Sequence, residues 1–588
     1  MTSRQPTPAP ASTLRLGLVY VLLLAGAGVL LWRMVDLHVF NHEFLRGEGE
    51  ARHLRVVSVP AHRGMITDRY GEPLAISTPV DAVWANPQAL LAARERLPEL
   101  AQVLDLDPQR LAQQVEARHD RQFMYLRRQL PPEVAARATA LGLPGVALQR
   151  EYRRYYPGGP VTAHVLGFTN IDDVGQEGIE LAYEQWLRGT AGSKRVIRDR
   201  LGRIVENVES IREPRPGKDL ALTLDRRLQY LAHRALESAV QEHQAVAGSV
   251  VILDARTAEV LAMVNQPSYN PNNRRDLGSE RLRNRAVTDA FEPGSTVKPF
   301  TVAAALEAGT ISPDSRINTA PGVLRVGRAT VRDIRNYGVI DAAALVQKSS
   351  NVGASKLALG MPPDALWGMY SRLGFGEPSG SGFPGEAAGQ LVFQSRWSDV
   401  ERATLSFGYG LSVNALQLAQ GYLALAGDGS WLPATFITGN GREREILRRQ
   451  AMAPHTAQLV RAMLEGAVHD QGGTATLARV RGYRVAGKTG TAKKAQPGGY
   501  AEDRYVSLFA GFAPVSDPRL VMVVMIDEPR GDEYYGGRVA APVFGTVMAD
   551  ALRLLDVPPD DLPSLGGRVM AQTDPSVRAA RLPQENKR

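Results

Sequence analysis

The apolar positions gather first near the N-terminus, where Leu16 to Trp32 forms a run of 17 uncharged residues between Arg15 and Arg33. With Met34, Val35 and Leu37 the run is long enough for one membrane span, with arginines snorkelling at its ends. Ala25-Gly26-Ala27 resembles a signal-peptide cleavage site, but the apolar run continues past it to Trp32. An uncleaved anchor over 14–37 is therefore expected, behind a Pro-rich polar tail at 1–13. Farther along, the periodicity changes. Residues 63–75 read as two short strands about a Tyr70-Gly71 turn, and 86–142 carry Ala and Leu at helical spacing. Pro214-Arg-Pro-Gly217 reads as a boundary. Beyond it, Leu228–Gln244 is an amphipathic helix, and Ser249–Leu253 with Val260–Val264 form a hairpin through Asp254–Glu259. Three more β-rich runs, Tyr483–Thr491, Tyr505–Ala513 and Leu520–Ile526, close the segment, the last two joined at Ser516-Asp-Pro518. Strands at both ends with helices between them predict an α+β domain over 218–557, an antiparallel sheet covered by helices. A mixed domain at 38–215 precedes it, and a polar, flexible tail at 558–588 follows.

Composition narrows the chemistry. The formal net charge is +8, but only nine of the 69 basic residues are lysines, and the arginines are scattered among carboxylates. No basic run interleaved with aromatics is present, which argues against nucleic-acid binding. The chain has no cysteine. That excludes disulfides, thiolate catalysis and cysteine-ligated zinc. The ten histidines show no metal-binding spacing, and no metal is expected. The mixed domain carries no nucleophile–base pair and reads as a structural or interaction module.

Because lysine is scarce, a lysine in a motif is informative. Ser295-Thr-Val-Lys298 follows a Pro-Gly break and precedes an apolar run, and Pro299 places Ser295 at the start of a helix. A serine beside a buried amine is one way to build a nucleophile without histidine. Ser349-Ser-Asn351 taken alone reads as a helix cap or turn. Gly482 to Thr489 matches the Gly-x-x-x-x-Gly-Lys-Thr phosphate loop, but such a loop needs a helix opening at the lysine. Here Lys488 is followed by Gly490 and Gln496-Pro-Gly-Gly499, and the strand bearing Asp527 returns through a short hairpin. A nucleotide site is rejected.

Taken together, Ser295-x-x-Lys298, Ser349-x-Asn351 and Lys488-Thr489-Gly490, in that order, resemble the penicillin-binding proteins and serine β-lactamases. Arg63-Gly-x-Ile-x-Asp-Arg-x-Gly-x-x-Leu-Ala75, Tyr156-Pro157 and Gly175-x-x-Gly-x-Glu180 resemble the elongated N-terminal pedestal of the class B, monofunctional group. Phe407-Gly-Tyr-Gly-Leu-Ser-Val413 and Tyr534-Tyr-Gly-Gly-Arg-Val539 are similar to stretches flanking that group's active site. The likeness is nearest to the division-specific branch. It implies a periplasmic D,D-transpeptidase acting on peptidoglycan stem peptides at the septum, inhibited by β-lactams. The N-terminus would be cytoplasmic, which the flanking arginines alone do not settle. An FtsW-type glycosyltransferase and other division proteins would be partners.

The resemblance assigns Ser295 as nucleophile and Lys298 as its base, kept neutral by burial beside Lys488. Ser349 would relay the proton and Asn351 would hold Lys298 and the substrate amide. Lys488, Thr489, Gly490 and Thr491 would bind the substrate along a strand edge, and the N–H groups of Ser295 and Thr491 would form the oxyanion hole. No cofactor is implied. An elongation-specific transpeptidase is the alternative, followed by an inactive division scaffold and a β-lactamase. The bifunctional class is excluded because 38–60 leaves no room for a glycosyltransferase domain.

Overall fold

The computed structural model describes residues 13–36, 54–198, 204–273, 278–394, 396–439 and 447–561. The expected N-terminal tail (save Thr13) and residues 562–588 of the expected C-terminal tail lie outside the described residues. Helix α1, Thr13–Val35, is 23 residues long, and its described side chains are mostly exposed and apolar. At 1.5 Å per residue it measures about 34 Å, enough to cross a hydrocarbon core of about 30 Å. It fits a single-pass anchor.

By contact the chain divides into two compact units that interleave along the sequence. One comprises residues 1–64, 77–153 and 185–218, and the other 65–76, 154–184 and 219–588. The first holds an antiparallel sheet of Leu54–Val59, Gly192–Arg198 and Ile204–Arg212. It also holds a helical core around Leu90, Leu97, Leu100, Leu104, Leu111 and Val115. Asn86 and Asp107 cap two of these helices, each followed by proline in the first turn. The helical reading of 86–142 needs one correction. Met124–Leu130 is a strand paired with Asp81–Ala85. Its Leu, Arg and Gln are good helix formers, and the pairing outweighs their preference.

In the second unit, helix α2 (Arg226–Glu242) begins two residues earlier than its apolar pattern suggests. Asp225 starts it, accepting a hydrogen bond from Arg227 N. Strands β1 (Ala247–Asp254) and β2 (Val260–Gln266) form the expected hairpin. Next come α3 (Lys298–Glu307), α4 (Asn351–Gly360) and α5 (Ala415–Ala426). Strands β3 (Ala486–Gln496), β4 (Gly499–Ala513) and β5 (Leu520–Asp527) and helix α6 (Gly536–Leu554) complete the unit. The sheet order is β2-β1-β5-β4-β3, antiparallel throughout. Val250, Ile252, Met522 and Val524 pack with Leu228, Leu236, Phe544 and Met548 of α2 and α6. Helix α5, buried along its whole length, packs against β1 and β5 as well. This explains why β1 and β5 read as continuous apolar runs, since both faces are covered.

Strands β3 and β4 extend further than expected, to a turn at Pro497-Gly498. Beyond Thr491 the ribbon is partly solvent-facing, so its residues carry no apolar signal. Arg154 and Glu180 form an ion pair at 2.6 Å with side chains 1% and 0% exposed. Strand β3 is an edge of the sheet, and its free edge borders the site.

Candidate active site

The chain approaches the site through Glu292-Pro-Gly-Ser295. Gly294 has φ +51°, a left-handed conformation in which a side chain is strained, and its N–H donates to Gly408 O at 3.2 Å. Residues Gly294–Val297 make one 3₁₀ turn, and α3 starts at Lys298 with Pro299 in its first turn. Ser295 thus sits one turn ahead of the α-helix. It lines a cleft of about 640 Å³ together with Ser349, Asn351, Thr489, Gly490 and Thr491.

Lys298 is fully buried beside this cleft. Its Nζ donates to Ser349 O at 2.6 Å, Asn351 Oδ1 at 2.6 Å and Ser349 Oγ at 3.1 Å. Burial pushes its pKa well below the ordinary lysine value, and the charge of Lys488 adds to that, while Asp333 opposes it. A neutral amine would have two protons and a lone pair, so in that form one of these three contacts reverses. The Ser349 hydroxyl is the partner able to donate. Lys488 is also fully buried, which pushes its pKa down to about 7, and its Nζ donates to Thr489 O at 3.0 Å.

Ser349-Ser-Asn351 serves both of its readings. Ser349 ends the helix Ala342–Lys348 in the left-handed conformation, φ +60°. Ser350 caps α4, its Oγ accepting from Gly353 N at 2.9 Å. Between these two backbone devices the Ser349 and Asn351 side chains meet Lys298. Asn351 Nδ2 donates to Arg332 O at 3.0 Å, which fixes the amide so that its oxygen faces the lysine.

On the opposite wall, Thr491 Oγ1 accepts from Gly536 N at 3.0 Å, and Thr489 Oγ1 lies 3.3 Å from Thr474 Oγ1. A Cβ on Gly490 would lie 2.8 Å from Thr296 Cγ2 and 3.1 Å from Pro293 O. The strand edge can therefore rest on the serine turn only because residue 490 has no side chain. Lys488 lies mid-strand with no helix following, as the rejection of a phosphate loop requires. Ser295, Ser349, Asn351, Thr489 and Gly490 of the three motifs line one cleft, while Lys298 and Lys488 are buried behind the residues that line it.

This arrangement is that of a family. Residues 248–549 match the penicillin binding protein transpeptidase domain, and 58–222 match the penicillin-binding protein dimerisation domain. The chain belongs to the class B penicillin-binding proteins. It is 44% identical over 530 residues to the probable peptidoglycan D,D-transpeptidase PbpC of Pseudomonas aeruginosa, covering 90% of this chain and 93% of that one. To the peptidoglycan D,D-transpeptidase FtsI of Escherichia coli K12 it is 42% identical over 564 residues, 95% of each chain. The crystal structure of penicillin binding protein 3 from Mycobacterium tuberculosis, complexed with aztreonam, is similar with a TM-score of 0.66 at 29% identity. That match covers 86% of this chain and 98% of the other.

Two site residues of this penicillin-binding protein were not visible in its sequence. Asp333 Oδ2 accepts from Ser350 Oγ at 2.6 Å, and its Oδ1 accepts from Asn351 N at 2.6 Å and Val352 N at 3.0 Å. It holds the turn that aims Ser349 and Asn351. Tyr422 of α5 is fully buried and donates to Thr296 O at 2.7 Å, pinning the serine turn from behind. Neither belongs to a motif. The flanking stretches did carry a signal, since Tyr535, Gly537 and Arg538 line the cleft and Gly408 receives Gly294. Among the described residues no cluster of acidic and histidine side chains could hold a metal.

Proposed function

We propose that this protein is a peptidoglycan D,D-transpeptidase that cross-links stem peptides through an acyl-enzyme on Ser295 during septal wall synthesis. The observation that carries this reading is the buried amine of Lys298, held by Ser349 and Asn351 in the cleft that Ser295 lines.

The neutral Lys298 takes the Ser295 proton as Oγ attacks the carbonyl of the penultimate D-Ala. The oxyanion gathers between the N–H groups of Ser295 and Thr491, donors fixed in advance by the 3₁₀ turn and by strand β3. The C–N bond then breaks. Lys298 returns its proton through the Ser349 hydroxyl to the departing D-Ala amine, leaving an ester on Ser295. An amine of a neighbouring stem attacks the ester, its proton passes back along the same path, and Ser295 is released with its own proton. Lys488, Thr489 and Thr491 receive the terminal carboxylate, and Gly490 lets the strand lie close enough to do so. β-Lactams enter the same cleft and acylate the same serine.

The helix α1 supports a single-pass membrane anchor, and the resemblance to the class B family supports an inner-membrane location with the N-terminus cytoplasmic and the catalytic unit periplasmic. Similarity to FtsI supports a divisome role beside an FtsW-type glycosyltransferase. The test is labelling of the full-length protein with a fluorescent penicillin, then mass spectrometry of the modified peptide. An adduct on Ser295 that persists, and that Ser295→Ala abolishes, is expected. Labelling that survives in Ser295→Ala would overturn the reading, and rapid release of the adduct would point to a β-lactamase. A fluorescent fusion that decorates the lateral wall instead of the septum would assign it to elongation.

A further inference from the structure

Glu292 stands three residues ahead of Ser295, and the acyl-transfer scheme does not use it. Its Oε1 accepts from Gly410 N at 2.9 Å and from the Tyr500 hydroxyl at 3.1 Å. Its Oε2 is buried with no hydrogen-bond partner. One carboxylate therefore ties together three segments that meet nowhere in sequence: the serine turn, the loop 407–413, and the β3–β4 ribbon through Tyr500. The neighbouring bonds run the same way. Phe291 and Val413 exchange both backbone hydrogen bonds, at 2.9 and 3.0 Å. Lys493 N donates to the Tyr409 hydroxyl at 3.3 Å, and the Tyr409 and Tyr500 rings meet edge-on at 5.3 Å.

Why this matters follows from the topology. Strand β3 pairs with β4 on one side, but its other edge faces the serine turn, so closely that a Cβ on Gly490 would meet Thr296 Cγ2 at 2.8 Å. A strand edge resting on a turn can slide or lift unless polar groups hold it. The oxyanion site is assembled across this joint, one N–H from Ser295 and one from Thr491, so a small opening spoils it. A carboxylate kept half-desolvated, with one oxygen orphaned, is costly as mere packing. As a charged acceptor for two donors on two different segments it is a strong clamp. Burial pushes the carboxyl pKa up, while the Gly410 and Tyr500 donors pull it back.

We propose that Glu292 is a positioning residue for acyl transfer: by binding Gly410 and Tyr500 it holds the β3–β4 ribbon against the serine turn and keeps the Ser295 and Thr491 N–H groups in register. The inference rests on the acyl-enzyme reading of Ser295. The experiment uses full-length protein and a fluorescent penicillin at a series of concentrations, which separates the non-covalent binding constant from the first-order acylation rate. Glu292→Ala is expected to lower the acylation rate about tenfold to a hundredfold, the range of a lost charge-assisted clamp, with binding changed much less. Glu292→Gln, which keeps an acceptor oxygen, restores part of the loss. Tyr500→Phe, a change at a ring 44% exposed and so harmless to folding, lowers the rate by a smaller factor. In the double variant Glu292→Ala/Tyr500→Phe the rate falls no further than in Glu292→Ala. Additive losses, or an acylation rate in Glu292→Ala equal to the parent's, would overturn the clamp while parent labelling on Ser295 leaves the transpeptidase reading intact. Should Glu292→Ala not fold, a Tyr500→Phe rate equal to the parent's overturns it alone. Failure of the parent itself to label would sink the transpeptidase reading instead.

Discussion

Replacing Gly490 by alanine tests whether the closeness of strand β3 to the serine turn is what makes the site work. The new Cβ would stand 2.8 Å from Thr296 Cγ2, 3.1 Å from Pro293 O and 3.2 Å from Leu508 Cβ. Ordinary contact begins at 3.4 Å, so strand and turn must part by about 3.4 − 2.8 = 0.6 Å. Thr296 cannot swing aside, because it is fully buried and its Oγ1 donates to Pro293 O at 2.7 Å. Residue 490 lies in extended strand, so alanine brings no backbone strain and the steric push acts alone. A misplacement of 1 Å in reacting groups costs on the order of a hundredfold, so this displacement should slow acylation about tenfold. Overpacking of this size destabilises by about 1–3 kcal/mol. The assay is the rate of Ser295 labelling by a fluorescent penicillin, with a thermal melt of the same sample. Gly368→Ala is the control. It lies in the helix Ala365–Arg372, where a Cβ meets only the end of the Arg372 side chain at 3.4 Å. It should label normally and gain up to about 1 kcal/mol from helix propensity. A Gly490→Ala protein that labels as fast as its parent would refute the reasoning.

Three further outcomes are expected. Tyr422→Phe leaves the Thr296 carbonyl buried without its partner at 2.7 Å, costing about 1–3 kcal/mol in a denaturation experiment and slowing acylation; an unchanged midpoint refutes it. Asp333→Asn acts on pH dependence. Lys298 is a base only when unprotonated, and the Asp333 charge raises its pKa against the lowering by burial and by Lys488, so removing that charge should move the acidic limb of the labelling rate to lower pH. A limb that stays, or moves up, contradicts the assignment. Glu180→Ala leaves the Arg154 guanidinium buried and unpaired by Glu180, at a cost of about 3–5 kcal/mol, whereas Arg154→Met with Glu180→Leu should lose far less by chemical denaturation.

How much of this could be read from the chain follows from what each residue does. In the proposed mechanism Ser295, Lys298, Ser349, Asn351 and the Lys488–Thr491 stretch handle protons and carboxylates, and few residue types can, so their identities and spacings form a pattern. The central strands were legible for a different reason: both of their faces are covered, and an uninterrupted apolar run has few other uses. The outer half of the β3–β4 ribbon was not, because its residues are polar and partly solvent-facing although their partners are close by; nor was the strand Met124–Leu130, because pairing alone makes it a strand and its partner, Asp81–Ala85, is distant in sequence. The same holds at the site. Asp333 bonds a residue 17 positions away, Glu292 one 118 away, and Tyr422 one 126 away. Nothing local distinguishes such an aspartate, glutamate or tyrosine from its counterparts on the surface. Yet these are the groups that hold the serine turn, the Ser349–Asn351 turn and strand β3 in place, and in the proposed mechanism that separation decides whether Lys298 and two N–H groups meet one carbonyl at the same instant. The chemistry of this protein is written locally, its geometry only in the folded chain, and substitutions at the second kind of residue should therefore reach the rate of acylation without touching any motif.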